Sequence, residues 1–312
     1  MSDLVTGILS LLLLIGITGG LVYWAKRAET DRAALMGLYL VLGIPGTLLT
    51  VAGLALTVNR TEEGWAILLC GLGLALPLVP QVRFALAKVT PLDPKSTIDM
   101  AGLSMILLVC GFTMVTYAMG TNEGDETVTG DVTVASLIVN VITFVAIAYV
   151  CVGYGTWRKL EEATERLNIR MPSGRTILIG LALVVPSLLM SIVGSALTVF
   201  FQPDVVDNLQ ETMDEMTTGV QNPFGAVLLG LTTGIGEEVL FRGAVQPRFG
   251  IVIASLVWVV LHVQYDLTFV LVGLFGIGIL LGLERKYLGT SAAIVTHAAY
   301  NVVVVLLQTY ST

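Results

Sequence analysis

Ten apolar segments punctuate the chain, and most are long enough to cross a bilayer. They lie near 4–24, 33–58, 65–88, 98–119, 134–157, 176–201, 224–245, 250–263, 267–283 and 290–309. A helix needs about 20 apolar residues to traverse the hydrocarbon core. Within that core backbone polar groups must find partners inside the structure, and a helix supplies them from its own segment. The expected fold class is all-α, a polytopic transmembrane helical bundle of about ten membrane segments. The segment 250–263 is short for a span and suits a tilted, re-entrant or buried helix. The first segment begins Met1-Ser2-Asp3, lacks a basic start and runs unbroken to Trp24, so it reads as a span and not as a secretory signal.

Composition excludes the main alternatives. Of 312 residues, 55% are hydrophobic and 12% charged, against about 25% charged in an ordinary soluble domain. Low charge with high hydrophobicity excludes a disordered chain. The three cysteines, Cys70, Cys110 and Cys151, each lie inside an apolar run and make no disulfide framework. A net charge of −7 with no basic stripe argues against nucleic acid as a partner.

The charges that remain are sorted by position. Lys26, Arg27 and Arg32 follow the first span, and Arg83, Lys88 and Lys95 follow the third. Arg158, Lys159, Arg166, Arg170 and Arg175 follow the fifth, Arg242 and Arg248 end the seventh, and Arg285 and Lys286 follow the ninth. Only Arg60 departs, so fifteen of sixteen basic residues fall on one side. Basic residues concentrate in cytoplasmic loops, which puts both termini outside and requires an even number of spans. The opposite face holds 13 acids and one base, most of them in 121–131 and 202–222. Three readings fit: a solvated rim, adaptation to high salt, or cation binding. The longest inner connection, 158–175, is expected to extend the fifth helix until the breaker Met171-Pro172-Ser173-Gly174. It separates residues 1–175, an accessory transmembrane region of about five spans, from 176–312, which holds every motif below.

Ionisable groups inside membrane segments are expensive and mark function. The first six spans carry almost none away from their ends, whereas three of the last four do. Residues 237–242 place Glu237, Glu238 and Arg242 in one helix; Trp258 and His262 end the next; His297 and Asn301 lie one turn apart in the last. Glu238 and Arg242, at i and i+4, share a face and can form a helix-locking ion pair. Glu237 lies about 100° around the helix and is expected to project unpaired into a cavity, where a carboxylate suits general acid or base work. His297 and Asn301 share a face and can direct hydrogen bonds at one point, as an oxyanion site requires. Trp258 shares a face with His262 and can wall or orient its imidazole. Gln264, Tyr265 and Asp266 read as a solvating turn. The chain has only these two histidines, and both sit here.

The order Glu237-Glu238-x-x-x-Arg242, Trp258-x-x-x-His262, His297-x-x-x-Asn301 resembles the CPBP family, the CAAX proteases and bacteriocin-processing intramembrane proteins, which include the type II CAAX prenyl endopeptidases. Trp258 stands where phenylalanine is commoner in that family. The resemblance covers roughly 220–310 and implies a catalytic core within 176–312. It implies an intramembrane endopeptidase in which Glu237 and His262 activate a water, His297 and Asn301 stabilise the oxyanion, and Glu238 and Arg242 hold the helix of Glu237. It favours catalysis without a metal. The alternative is zinc on Glu237, His262 and His297, a ligand set zinc accepts. A water-filled cavity reached from the cytoplasm is expected, with a membrane-associated peptide or protein, prenylated CAAX-type or other, as substrate and the lipid bilayer as surroundings. The rival functions are a non-proteolytic scaffold or immunity protein of the same family and a transporter. The intact motifs weigh against the first; the clustering of polar groups, instead of a route, weighs against the second.

Overall fold

In the computed structural model, which describes residues 2–61, 63–120 and 132–311, the chain is helical throughout, with no β-strand among the described residues. The acidic segment 121–131 and Glu62, parts of the expected acidic face, lie outside the described residues. The helices are α1 (Ser2–Arg27), α2 (Arg32–Val58), α3 (Gly64–Ala75), α4 (Pro80–Leu86), α5 (Thr97–Gly120), α6 (Val134–Cys151), α7 (Leu160–Arg166), α8 (Gly174–Phe201), α9 (Val206–Thr218), α10 (Pro223–Glu237), α11 (Gln246–Val260), α12 (Val270–Leu288) and α13 (Thr290–Ser311). A π-helix, Glu238–Val245, joins α10 to α11.

Among the described residues, seven helical stretches are long and apolar enough to cross a membrane, one of them Pro223–Val260, and the bent pair Gly64–Leu78 and Pro80–Leu86 adds an eighth. The expected segments 224–245 and 250–263 fall within that stretch, on either side of non-helical backbone at Gly250 (φ +88), and the expected 65–88 is broken by a bend of 88°. Pro77 and Pro80 sit at that bend, where proline withholds a backbone donor. The buried Arg83 donates to Pro77 O and, at 2.9 Å, to Pro94 O, tying the bend to the loop that follows. α12 carries Glu284, Arg285 and Lys286 near its end and is not one of the seven. The spans expose rows of large apolar side chains, such as Leu48, Val51, Leu178, Val185 and Phe200. Patches of that size are tolerated where lipid, not water, is the neighbour. The protein is a multi-pass helical membrane protein.

The chain forms two compact units, Ile17–Glu126 with Arg248–Gly250, and Met1–Gly16, Thr127–Pro247 and Ile251–Thr312. In the first, α2 and α3 pack backbone to backbone. A Cβ added at Gly53 would lie 2.2 Å from the Leu68 nitrogen, and one at Gly71 would lie 2.2 Å from the Thr50 nitrogen. Leu38, Leu42, Leu74, Leu78, Met100 and Ala101 fill the core beside this contact. Asp31 starts α2 by accepting from Ala33 N at 2.9 Å and Ala34 N at 3.2 Å, an N-cap that satisfies two orphan donors. The buried Asp99 pairs with Arg248.

In the second unit, α10 packs on α13 and α6, and α8 packs on α12 and α13. The inner connection does not continue α6 as expected. Gly153 (φ +96) ends it, a conformation that a residue with a Cβ adopts only under strain. α7 then runs as a separate short helix, and Ala163 and Leu167 bury against Val239 and Ala244 of the π-helix. The Thr290 hydroxyl donates to Leu167 O at 2.5 Å and ties this connection to the start of α13. The i, i+4 charge spacing of 158–175 is real, but the glycine decides where the helix stops.

Candidate active site

The first motif lies where the helix widens. Glu237 is the last residue of α10, and Glu238 opens the π-helix that also holds Arg242. π-turns are rare and recur at functional sites. Glu238 and Arg242 have fully buried side chains, and Glu238 Oε2 lies 3.3 Å from Arg242 Nε, the expected i, i+4 pair. Arg242 also donates to Gly278 O of α12 at 3.3 Å, and Gln246, one turn on, donates to Gly282 O at 2.8 Å. These bonds fasten the motif helix to α12.

The second motif lies beyond a kink. Gly250 (φ +88, ψ 168) interrupts α11 and redirects the stretch that ends in Trp258 and His262. Trp258 is almost wholly buried, and its indole Nε1 donates to Glu237 Oε2 at 2.5 Å. Glu237 is therefore held by a neutral donor and does not project unpaired, as its helical position alone suggested. The His262 ring lies 4.6 Å from the Trp258 ring, and the His297 ring lies 5.7 Å from it on another side. The Arg242 guanidinium carbon stands 5.0 Å from the same ring centre, within cation–π range. All three motifs meet around one tryptophan.

The third motif completes the arrangement. His297 Nδ1 lies 2.8 Å from Glu238 Oε1. Asn301, one turn further along α13, donates through Nδ2 to Thr233 Oγ1 at 2.7 Å, which ties it to α10 one turn before Glu237. His262 Nδ1 lies 2.7 Å from the Trp258 carbonyl. A carbonyl only accepts, so Nδ1 carries the proton and a neutral His262 presents Nε2 as its free lone pair. In the same way the Glu238 carboxylate accepts a hydrogen bond from His297 Nδ1–H. The site thus holds two carboxylates in different settings: Glu238 between a guanidinium and an imidazole, Glu237 against an indole.

Three partnerships were not legible beforehand: Trp258 with Glu237, Glu238 with His297, and Thr233 with Asn301. Tyr265 was read as part of a solvating turn. Its ring instead stacks on His262, with centroids 6.2 Å apart and planes 10° from parallel. A 3-10 turn, Val263–Tyr265, sets that ring in place, and the Thr268 hydroxyl donates to Tyr265 O at 2.8 Å. Burial, aided by nearby Tyr300 and Glu237, pushes the Tyr265 phenol up and keeps it neutral.

Residues 219–303 match the family described as type II CAAX prenyl endopeptidase, Rce1-like. The match falls on the region that carries all three motifs. No curated protein and no solved structure matches the chain. The match spans α10, the π-helix, α11, α12 and most of α13, so the helices of this region supply every side chain named above.

Zinc sites need three or four N, O or S ligands converging at about 2.0–2.3 Å. Among the described residues, no group of three His, Cys, Asp or Glu side chains is arranged to hold a metal ion. Each histidine has its Nδ1 engaged by an oxygen, and Glu237 has one oxygen on the indole, so the Nε2 atoms and the second Glu237 oxygen are what a ligand set would draw on.

Proposed function

We propose that the chain is an intramembrane endopeptidase of glutamate type, hydrolysing a peptide bond in a membrane-associated peptide or protein. The observation that carries this reading is the convergence of Glu237 and His262 on Trp258, whose indole donates to Glu237 Oε2 at 2.5 Å and whose carbonyl accepts from His262 Nδ1 at 2.7 Å, leaving Nε2 its lone pair. A water between them loses a proton to Glu237 as its oxygen bonds to the peptide carbonyl carbon. Charge develops on the carbonyl oxygen, and the Asn301 amide together with an imidazolium at His297, its Nδ1–H held by Glu238, supplies donors for it. The proton then passes from Glu237 to the departing nitrogen as the C–N bond breaks, so acid and base work fall to one residue in turn. Catalysis in this reading needs no metal.

The topology we propose counts α1, α2, the bent α3–α4 pair, α5, α6, α8, α10, α11, α12 and α13 as ten membrane segments. The placement of fifteen of sixteen basic residues on one side supports it. Both termini then lie outside, and the substrate enters from the cytoplasmic face. Residues 1–175 act as an accessory region to the catalytic core in 176–312. A prenylated CAAX-type C-terminus is one substrate class open to such a site, and other membrane-anchored peptides are equally so.

The test is cleavage of prenylated and unprenylated membrane peptides by purified protein in liposomes, against Glu237→Ala and His262→Ala. Loss of cleavage in both variants, with no effect of a chelator, is the expected result. Equal cleavage by the variants defeats the enzyme reading, and loss on chelation defeats the metal-free one. A wild type that binds these peptides without cutting them is the outcome that would establish the non-proteolytic alternative.

A further inference from the structure

Trp258 brings a single hydrogen-bond donor to the centre of the site, and that donor meets Glu237 Oε2. We propose that its indole N–H, not its ring alone, is what sets Glu237 for reaction, so that Trp258 is a positioning residue of the site. This rests on the peptidase reading for the role of Glu237, but the hydrogen bond itself does not.

The geometry leaves the N–H one direction. Arg242 stands over the ring at 5.0 Å, His262 and His297 approach at 4.6 and 5.7 Å with interplanar angles of 61° and 86°, and a Cβ added at Gly278 would meet Trp258 Cε3 at 3.4 Å. With contacts on these sides and 2% exposure, the indole cannot turn without displacing the site. Its nitrogen therefore pins Glu237 Oε2 at 2.5 Å. A neutral single donor suits a general base better than the alternatives present. Arg242 at the same distance would hold the carboxylate with a full positive charge and weaken it as a proton acceptor, which is the setting of Glu238. The indole fixes the rotamer through one oxygen and leaves the other for water. Trp258 also sets His262, since its carbonyl takes the Nδ1 proton. One residue thus orients both groups proposed to activate the water, one through its side chain and one through its backbone.

Two variants separate ring from nitrogen. Trp258→Phe removes the donor and part of the ring. Replacement of Trp258 by β-(benzothiophen-3-yl)alanine keeps the bicyclic shape and puts sulfur where the N–H was. The full-length protein in nanodiscs is expected to lose about tenfold in kcat with the sulfur isostere, on the scale of one preorganised hydrogen bond, with KM and thermal midpoint unchanged. An isostere that cleaves like wild type overturns the proposal, and so does a loss carried by KM or by unfolding. A second readout needs no cleavage: the indole N–H proton resonance of Trp258 should move upfield in Glu237→Ala. A resonance that stays put overturns the hydrogen bond itself. If Glu237→Ala cleaves normally while that resonance moves, the peptidase role of Glu237 fails and the pairing stands.

Discussion

The buried ion pair of the first motif gives the sharpest energetic test. Replacing Arg242 by leucine removes a guanidinium whose partner, Glu238, has no exposed side-chain surface. At 3.3 Å and an effective dielectric near 20, the direct attraction is about 5 kcal/mol. Breaking one side of a buried pair typically costs about 3–5 kcal/mol, because the other charge stays behind in a poor solvent. Arg242→Leu also loses the bond to Gly278 O and the contact with the Trp258 ring. For a chain of this size that amounts to a fall of roughly 5–10 °C in thermal midpoint. The decisive comparison is with the double variant Glu238→Gln, Arg242→Leu. A neutral amide needs no counter-charge, and its carbonyl can still accept from His297 Nδ1, now 2.8 Å from Glu238 Oε1. The double variant should therefore recover more than half of the lost stability. Scanning fluorimetry of the three proteins in one detergent makes the measurement. If the single variant melts no lower than the double, the stranded charge is not what the pair prevents and the reasoning fails.

Gly53→Ala should destabilise the protein by about 1–3 kcal/mol through overpacking, because the new Cβ would lie 2.2 Å from the Leu68 nitrogen; a thermal midpoint equal to wild type would show that α2 and α3 can separate freely. At the start of α2, the backbone N–H of Ala34, then Arg27 and the Ala33 N–H, hold the Asp31 carboxyl below its ordinary value. A lowered folded value means the cap contributes fully above the ordinary aspartate range and fades as pH falls through the lowered value, so the midpoint difference between wild type and Asp31→Ala should be largest at neutral pH and shrink in acid. Thr233→Val deprives Asn301 of its partner at 2.7 Å and should lower kcat about tenfold with little change in KM, which steady-state cleavage would reveal. Tyr265→Ala removes the ring stacked on His262 and should lower kcat, while Tyr265→Phe keeps it; equal impairment of both would assign the role to the hydroxyl.

How much of this could be read in the sequence depended on the distance over which each interaction acts. Helical periodicity fixes neighbours three or four residues apart, so the Glu238–Arg242 pair and the contact of Trp258 with His262 followed from spacing alone. The apolar runs likewise gave most helices, because the bilayer imposes a length on them. What failed was local backbone conformation. Gly153 stops α6 and Gly250 bends α11, both at positive φ, and neither glycine stands out in a chain with 33 of them. The π-helix at Glu238–Val245 has no compositional mark either. Those departures decide where side chains across the site point. The partners that define the chemistry, Trp258 with Glu237 and His297 with Glu238, lie 21 and 59 residues apart, beyond anything a periodicity encodes.

The scarcity of polar groups makes up part of that deficit. In an apolar interior a buried donor or acceptor left unpaired is costly, and few candidates exist to pair it. The three motifs offer two carboxylates, two imidazoles, one guanidinium, one amide and one indole, and nearly all of them find each other. Once the helices converge, the assignment is close to forced: the guanidinium takes the carboxylate one turn before it, the second imidazole takes the free oxygen of that carboxylate, and the remaining carboxylate is left with the indole. A phenylalanine in place of Trp258 would leave Glu237 without that donor. Trp258→Phe therefore alters the hydrogen bonding of the residue on which the proposed chemistry turns, and that is why a substitution that looks conservative in hydrophobic volume is the one most informative to make.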